Sequence, residues 1–209
     1  MTGHEFTGDN SAAQQGHDLA LAPQAPELMD LSPEGAAAFV GMMQDRLAGM
    51  DNIMRATPGE SRDAMEGAAL AIDMVTEAVT ADPDSYTSIG SYQGPLSKMA
   101  HAASNTHVRQ TGHPHRETYF LNTDRMDSTG VVTLLGEIKK KTLDQRWDGT
   151  HQYSREADST AAHGRKTIAV EAIRALKEIA DARGQATISA ETVAKMGEYM
   201  KKPGEARKR

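Results

Sequence analysis

The sequence lacks cysteine altogether and is poor in aromatic and apolar residues. With no cysteine among 209 residues, disulfides, thiolate zinc sites and a cysteine nucleophile are excluded, and a reducing compartment is favoured. Aromatic residues make up 4% and hydrophobic residues 38% of the chain, below the usual share for a globular protein. We therefore predict that part of the chain lies outside any packed core.

Long apolar runs and the common catalytic motifs are also missing. No run approaches the roughly 20 residues that span a bilayer, and residues 1–9 lack the basic and apolar regions of a signal peptide. The sequence contains no phosphate-binding Gly-Lys-Ser/Thr loop, no Gly-x-Ser-x-Gly elbow, no EF-hand loop and no dinucleotide fingerprint. We predict a soluble protein, cytoplasmic or incorporated in a particle, with no membrane partner, no cofactor and no catalytic residues.

Basic residues are scarce in the first two thirds of the chain and abundant in the last third. Residues 1–138 hold seven Lys/Arg and nineteen Asp/Glu, whereas residues 139–209 hold sixteen Lys/Arg and ten Asp/Glu. The net charges of −12 and +6 indicate a charged partner, or docking of the two parts on each other.

Hydrophobic periodicity predicts an all-α fold with five parts. Residues 1–31 are predicted to be a flexible, disordered arm, and residues 32–81 an acidic, methionine-rich helical hairpin. Residues 82–128 form a loop-rich connector that contains histidines and one short helix from Leu96 to Val108. Residues 129–202 form a basic helical bundle, and residues 203–209 a basic tail.

The start and stop signals of the helices are clear. Ser32-Pro33 and Thr57-Pro58 each place a hydroxyl residue at the N-cap and proline at the first helical position. Asp82-Pro83 ends the second helix, Gly184 ends a helix that begins near Asp158, and Ser189 opens the last one. The short link at 56–57 favours antiparallel packing of the first two helices.

The apolar face of the first helix has two interpretations. Its residues recur at helical spacing, and methionine-rich faces adapt to varied partners. The face is either the hairpin's own core or an interaction face for a protein partner or a second copy, and its residues are Phe39, Met43, Leu47, Met50 and Met54.

The basic C-terminal part is a candidate polyanion-binding surface, because several cations on one helix–loop–helix could neutralise phosphates. A helix-turn-helix would use residues 189–195, although the connection from Arg183 to Ser189 is long for that motif. An ordinary solvated face with acidic partners explains the same composition. The candidates are Arg165, Lys166, Arg174, Lys177, Lys195, Lys201, Lys202, Arg207, Lys208 and Arg209.

The segment Gly184-Gln185-Ala186-Thr187-Ile188-Ser189-Ala190-Glu191-Thr192-Val193 resembles the second loop and the start of the third helix in histone-fold proteins. The resemblance implies a long central helix before Gly184, a first helix at 129–143, dimerisation and DNA wrapping. Gln185-Ala186 replaces the basic pair of those proteins, and Thr192 replaces an aspartate that pairs with an arginine.

Histidines in the connector are weak candidates for a metal site. His107, His113 and His115 lie close in sequence, and imidazole is a good zinc ligand. His101 and His107 lie six apart, a spacing that places them on different sides of a helix. The stronger expectation is a set of exposed loop histidines.

These patterns predict a non-enzymatic helical component for protein interaction or assembly, in a macromolecular particle or a secretion-type complex. Its basic C-terminal end would contact a polyanion or an acidic surface. Nucleic-acid binding through the C-terminal third is the alternative, and a metal-dependent enzyme that uses the histidines comes third.

Overall fold

A computed structural model describes residues 28–49, 58–111, 126–143 and 155–201, and confirms the predicted all-α class for them. The described elements are six α-helices, one 3-10 helix and two four-residue strands. In chain order they are β1 (Leu28–Leu31), α1 (Pro33–Ala48), α2 (Pro58–Ala81), the 3-10 helix Pro83–Ser88, α3 (Pro95–Thr111), α4 (Ser128–Leu143), α5 (Arg155–Arg183), β2 (Ala186–Ser189) and α6 (Ala190–Lys201).

The predicted helix ends at Ser32, Asp82 and Gly184 are confirmed, whereas α1 ends at Ala48, short of the predicted Met54, and α3 continues to Thr111, beyond the predicted Val108. The Ser32 hydroxyl accepts a hydrogen bond of 3.2 Å from the Gly35 N–H, which satisfies one of the unpaired donors at the start of α1. Asp82 stops α2 and caps the 3-10 helix by accepting from the Asp84 N–H. Gly184 ends α5 with a φ of +79°, a conformation that glycine adopts without the cost a side chain would add.

The long helix α5 lies at the centre of the fold. It packs against α1, α2 and α3, while α2 also contacts α4 and α6. Apolar residues at helical spacing along α5, including Ile168, Ile173, Leu176 and Ile179, are almost completely buried. One hydrophobic core therefore draws residues from all six helices and from β2.

The hairpin and the connector of the sequence analysis take different places in this core. α1 packs mainly on α5, and its main described link to α2 is an ion pair of 3.5 Å between Arg46 and Asp63. The short helix predicted in the connector is α3, which packs along α5 through residues such as Leu96 and Met99. The acidic and basic parts of the sequence thus share one core.

The two strands form a small antiparallel sheet across a large sequence separation. β1, which belongs to the predicted N-terminal arm, pairs with β2 in a register that places Met29 opposite Ile188 and Leu31 opposite Ala186. Ala186 and Ile188 are buried in the core, and Leu31 packs against it. Residues 28–31 are therefore part of the folded unit, and residues 1–27 of the arm lie outside the described residues.

Candidate interaction and polyanion-binding surfaces

The predicted interaction face of α1 is largely used by the core of the same chain. Met43 is 0% and Leu47 5% exposed, and Phe39 is half-buried against the same core. Met50 and Met54 lie outside the residues whose side chains the structure describes. The described residues of this face therefore belong to the core of the chain and do not form an exposed interaction face.

One methionine of α1 points to the surface instead. Met42 is 47% exposed, and its neighbours Ala38, Asp45 and Gln44 are also exposed. Gly41, on the same side, would have open space around an added Cβ atom. A flexible, polarisable side chain beside two small residues, Ala38 and Gly41, leaves an accessible apolar spot on α1.

Four of the predicted polyanion-binding side chains have acidic partners one helical turn away. Arg174 donates to Glu171 at 2.9 Å, and Lys177 pairs with Asp181. On α6, Lys195 pairs with Glu191 at 2.5 Å and Lys201 with Glu198 at 3.6 Å. These are i,i+3 and i,i+4 pairs, the arrangement expected for an ordinary charged helical surface.

Of the remaining candidates, two are buried or half-buried and four lie outside the described residues. Arg165 is 0% exposed, so a phosphate at the protein surface could not reach its guanidinium in this structure. Lys166 is half-buried and takes part in an interaction of its own. Lys202, Arg207, Lys208 and Arg209 lie outside the described residues. Among the described candidates, Arg165 and Lys166 are therefore less accessible than the sequence indicates, whereas the four paired cations lie at the surface beside carboxylates.

Ion pairs also connect the acidic and the basic parts of the chain. Lys139 of α4 donates to Asp73 of α2 at 2.5 Å, and the Arg183 Nε at the end of α5 donates to Asp82 at 2.7 Å. The carboxylate of Glu171, in turn, lies 3.9 Å from Lys98 of α3. The opposite charges of the two parts are therefore partly used to hold the helices together.

Several hydrogen bonds join the start of α6 to the acidic part of the chain. The carboxylate of Glu77, on α2, accepts hydrogen bonds from the Ser189 N–H at 2.8 Å, the Ser189 hydroxyl at 3.2 Å and the Thr192 hydroxyl at 2.8 Å. The Ser189 hydroxyl also accepts from the Thr192 N–H at 3.2 Å, as an N-cap does. A carboxylate is favoured here because the N-terminus of a helix carries partial positive charge.

Residues 189–195, which a helix-turn-helix would use to contact DNA, take part in contacts within the chain instead. Ser189 and Thr192 are buried, and β2, just before them, is paired with β1 of the same chain. In a helix-turn-helix these residues would face a DNA groove, and in the histone-like arrangement Thr192 would stand in for an arginine-pairing aspartate. Here Thr192 bonds to Glu77, and the acidic part of the chain covers the N-terminus of α6.

The other end of α6 is held against α1 and α2 by Tyr199. Its ring is 4% exposed, and the Arg46 guanidinium lies 4.7 Å from the ring centroid in a cation–π contact. A Cβ atom at Gly67 of α2 would lie 2.5 Å from the Tyr199 hydroxyl oxygen, so glycine is required for this close approach. Burial raises the pKa of Tyr199 to about 12.

The raised pKa predicts a loss of stability at alkaline pH. The tyrosine loses its proton near pH 10 in the unfolded chain but only near 12 in the folded protein, so the folded state binds more protons between these values. The free energy of unfolding should therefore be unaffected by this group below pH 10 and fall as the pH rises towards 12, by about 1 kcal/mol or more. Urea titrations at several pH values from 9 to 11.5 measure the free energy of unfolding. As the pH rises, this free energy should fall less steeply for Tyr199→Phe than for the unaltered chain. Tyr92→Phe, at an exposed tyrosine, should behave as the unaltered chain; equal slopes for all three would contradict the assignment.

The described residues do not assemble the histidines into a metal site. No group of three His, Asp or Glu side chains that the structure describes could hold a metal ion. The side chains of His107, His113 and His115 are outside that part of the chain, so the zinc hypothesis stays a prediction. None of the described helices is both long and apolar enough to cross a bilayer.

The residues of α2 that hold α6 in place, Glu77 and Gly67, were not identified from the sequence. Glu77 lies within a helix of ordinary acidic composition, and its partners follow it by more than a hundred positions. Gly67 carried a signal, since an interior helical glycine indicates close approach of another element, but nothing in the sequence identified Tyr199 as that element.

Comparison with protein-family models, with curated proteins and with solved structures found no match to this chain.

Proposed function

We propose that this chain is a non-enzymatic helical component for protein interaction or assembly, whose basic C-terminal tail contacts a polyanion or an acidic surface. The observation that carries the proposal is the internal pairing of charge. Arg174, Lys177, Lys195 and Lys201 have acidic partners on their own helices, and Glu77 covers the start of α6. The helices then serve mainly as a scaffold, and the contact with a polyanion falls to the tail.

The position of α6 supports this role for the tail. The helix is fixed at its start by Glu77 and near its end by Tyr199, and it ends at the exposed Lys201. The residues that follow include Lys202, Arg207, Lys208 and Arg209, with a single acidic residue among them. Because Lys201 is exposed, the cations that follow it in sequence begin at the protein surface, where a partner can approach without rearrangement of the core.

For protein interaction, the support is the accessible apolar spot on α1. The buried side of this helix belongs to the core, so the methionine-rich character predicted to bind a partner is available only at Met42 among the described α1 methionines. A second copy of this chain is the partner that can be tested directly. Nucleic-acid binding through α5, β2 and α6 gains no comparable support, because the described cations there are paired or buried.

Self-association should depend on Met42. We expect the full chain to show concentration-dependent association in sedimentation velocity, and Met42→Glu to weaken it by about tenfold or more, because a charge would be buried at the contact. Gln44→Glu adds the same charge at another exposed position of α1 and should change association little. If the full chain stays monomeric over a hundredfold concentration range, or if both variants act alike, this surface is not a self-association site.

A further inference from the structure

The outer edge of β1 carries backbone groups whose direction follows from the bonds of β2. The N–H of Ser189 donates to Glu77, so it is not available to Leu28, the residue opposite it. Hydrogen-bonded and non-hydrogen-bonded pairs alternate in an antiparallel ladder. Met29 and Ile188 therefore exchange hydrogen bonds, whereas Leu28 and Ser189 do not.

Two further observations agree with this alternation. The Thr187 hydroxyl donates to the carboxylate of Asp30, the residue opposite it, at 3.3 Å, and side chains approach most closely in non-hydrogen-bonded pairs. The opposite alternation would have the Ser32 N–H donate to the Gln185 C=O, and no backbone bond joins these two described residues. The N–H and C=O groups of Leu28 and Asp30 consequently point away from β2.

Nothing in β1 itself blocks this edge against another strand. The strand contains no proline or lysine, two residues with which proteins commonly protect an edge, and its one charge, Asp30, is bonded to Thr187 of β2. No further strand pairs with β1 among the described residues. Met29 lies on the face that carries the buried Ile188, yet it is 44% exposed. The edge thus offers outward backbone groups together with an uncovered apolar side chain.

We propose that β1 pairs antiparallel with β1 of a second copy of this chain across a twofold axis at Met29. The two small sheets then join into one sheet of four strands. In this sheet the outward groups of Leu28 exchange hydrogen bonds with Asp30 of the second copy, and those of Asp30 with Leu28 of the second copy. The pairing deepens the proposed interaction role, on which it rests, and it uses a different element from the Met42 spot on α1.

The register follows from the residues of β1. With the axis at Met29, the two exposed methionines stand opposite each other in a non-hydrogen-bonded pair, where side chains approach most closely and cover each other. An axis at Asp30 would place two carboxylates directly opposite each other, which destabilises a pair of strands. An axis at Leu28 or Leu31 would pair only that one residue of each strand.

A second copy is the occupant that this edge matches best. The same short strand supplies outward donors, outward acceptors and an exposed apolar side chain on both sides of the axis, as an isologous contact requires. Two strands of four residues bury less than the roughly 1,200 Å² at which stable complexes begin. The contact is therefore weak, and its occupancy depends on protein concentration.

Amide hydrogen exchange of the full chain at two concentrations tests the pairing. Met29 and Leu31 donate towards β2 and serve as controls that are protected at both concentrations. Well above the dissociation constant, the fraction of free chain falls with the square root of the concentration. A hundredfold increase should therefore slow exchange at Leu28 and Asp30 by about three- to tenfold. Exchange that stays fast would overturn the proposal, and exchange that is slow at both concentrations would place another part of the same chain at the edge.

A single cysteine tests the position of the axis, and the absence of native cysteine makes the product unambiguous. Met29→Cys places two thiols opposite each other and should form a disulfide-linked dimer on mild oxidation at least about tenfold faster than Leu143→Cys does. Leu143, at the end of α4, is 40% exposed and therefore about as accessible as Met29. Equal rates of dimer formation would mean that Met29 does not lie at a twofold axis.

Two substitutions at Asp30 separate backbone pairing from the effect of the carboxylate. The Asp30 N–H points outward, so Asp30→Pro removes one donor of each copy from the contact and none from the bonds to β2. Asp30→Ala loses the same carboxylate and keeps the N–H. In sedimentation velocity, dimer affinity should be about tenfold or more lower for Asp30→Pro than for Asp30→Ala. Equal affinities would contradict pairing through this edge.

Met42→Glu distinguishes this surface from the spot on α1. The variant should keep the concentration-dependent exchange at Leu28 and Asp30, because Met42 takes no part in the strand pairing. Failure of the α1 surface would then appear in sedimentation alone, and failure of the β1 edge would appear at these two amides in the unaltered chain. Loss of the concentration dependence in Met42→Glu would contradict an independent contact at β1.

Discussion

Replacing Glu77 by alanine is expected to destabilise the protein by about 2–3 kcal/mol, because hydrogen bonds to a charged group are worth about 1.5–3 kcal/mol each and are not additive. The carboxylate accepts from the Ser189 N–H, the Ser189 hydroxyl and the Thr192 hydroxyl. Its removal leaves the Ser189 N–H and the Thr192 hydroxyl without this acceptor, while the Ser189 hydroxyl can still donate to the Thr192 hydroxyl oxygen at 3.0 Å. It also takes away the negative charge that the helix N-terminus favours.

Urea unfolding followed by circular dichroism measures this effect. Glu137→Ala removes the same side chain from an exposed position of α4 and should change the free energy of unfolding by less than about 0.5 kcal/mol. Glu77→Gln, which keeps the shape but not the charge, should fall between the two. A Glu77→Ala protein as stable as Glu137→Ala would mean that α6 does not depend on this network.

Replacing Gly67 by alanine should also destabilise the protein, although glycine to alanine within a helix ordinarily stabilises by about 1 kcal/mol. The added methyl group would lie 2.5 Å from the hydroxyl oxygen and 2.6 Å from the Cζ atom of Tyr199. The ring is buried beneath Arg46 and cannot turn aside freely. Overpacking of this kind costs about 1–3 kcal/mol, so the net change should be a loss.

Gly136→Ala is the matched control, with the opposite expected sign. Gly136 lies in α4, and an added Cβ atom there would meet nothing within 4 Å. This variant should gain up to about 1 kcal/mol from its helix propensity. Two glycine-to-alanine changes in helices would thus shift the free energy of unfolding in opposite directions, and a stabilised Gly67→Ala protein would contradict the close approach of Tyr199.

Local signals in the sequence predicted much of the fold. Ser32-Pro33, Asp82-Pro83 and Gly184 mark helix ends through backbone chemistry that depends on neighbouring residues alone. The stripe of Val131, Leu134, Leu135 and Ile138 is buried in α4 as its spacing predicted. Such features need no knowledge of the partner element, because periodicity and capping are properties of one helix.

What the sequence could not supply was the pairing of the helices. The similar starts of α1 and α2 and the short link expected at 56–57 suggested a hairpin. In the structure nine residues separate the end of α1 at Ala48 from the start of α2, and α1 packs on α5, more than a hundred residues later. The basic C-terminal part was predicted to be a surface for an external polyanion. Its partners in the structure, Asp73, Asp82 and Glu77, are far away in sequence, so periodicity and capping signals could not identify them. Arg165 likewise resembles a surface cation in sequence and is buried in the core.

The measurement that tests the proposed role of the tail most directly is a fluorescence-anisotropy titration of a labelled DNA duplex and a labelled acidic peptide. Two variants each replace four cations by glutamine: a tail variant at Lys202, Arg207, Lys208 and Arg209, and a helix variant at Arg174, Lys177, Lys195 and Lys201. The titrations run from about 50 to 200 mM salt. In this range log affinity falls linearly with log salt, and each phosphate contact that a variant loses makes this fall shallower by about 0.9. We predict that the salt-sensitive binding disappears in the tail variant, while the helix variant binds nearly as the unaltered chain does. Binding that survives in the tail variant and disappears in the helix variant would contradict this role.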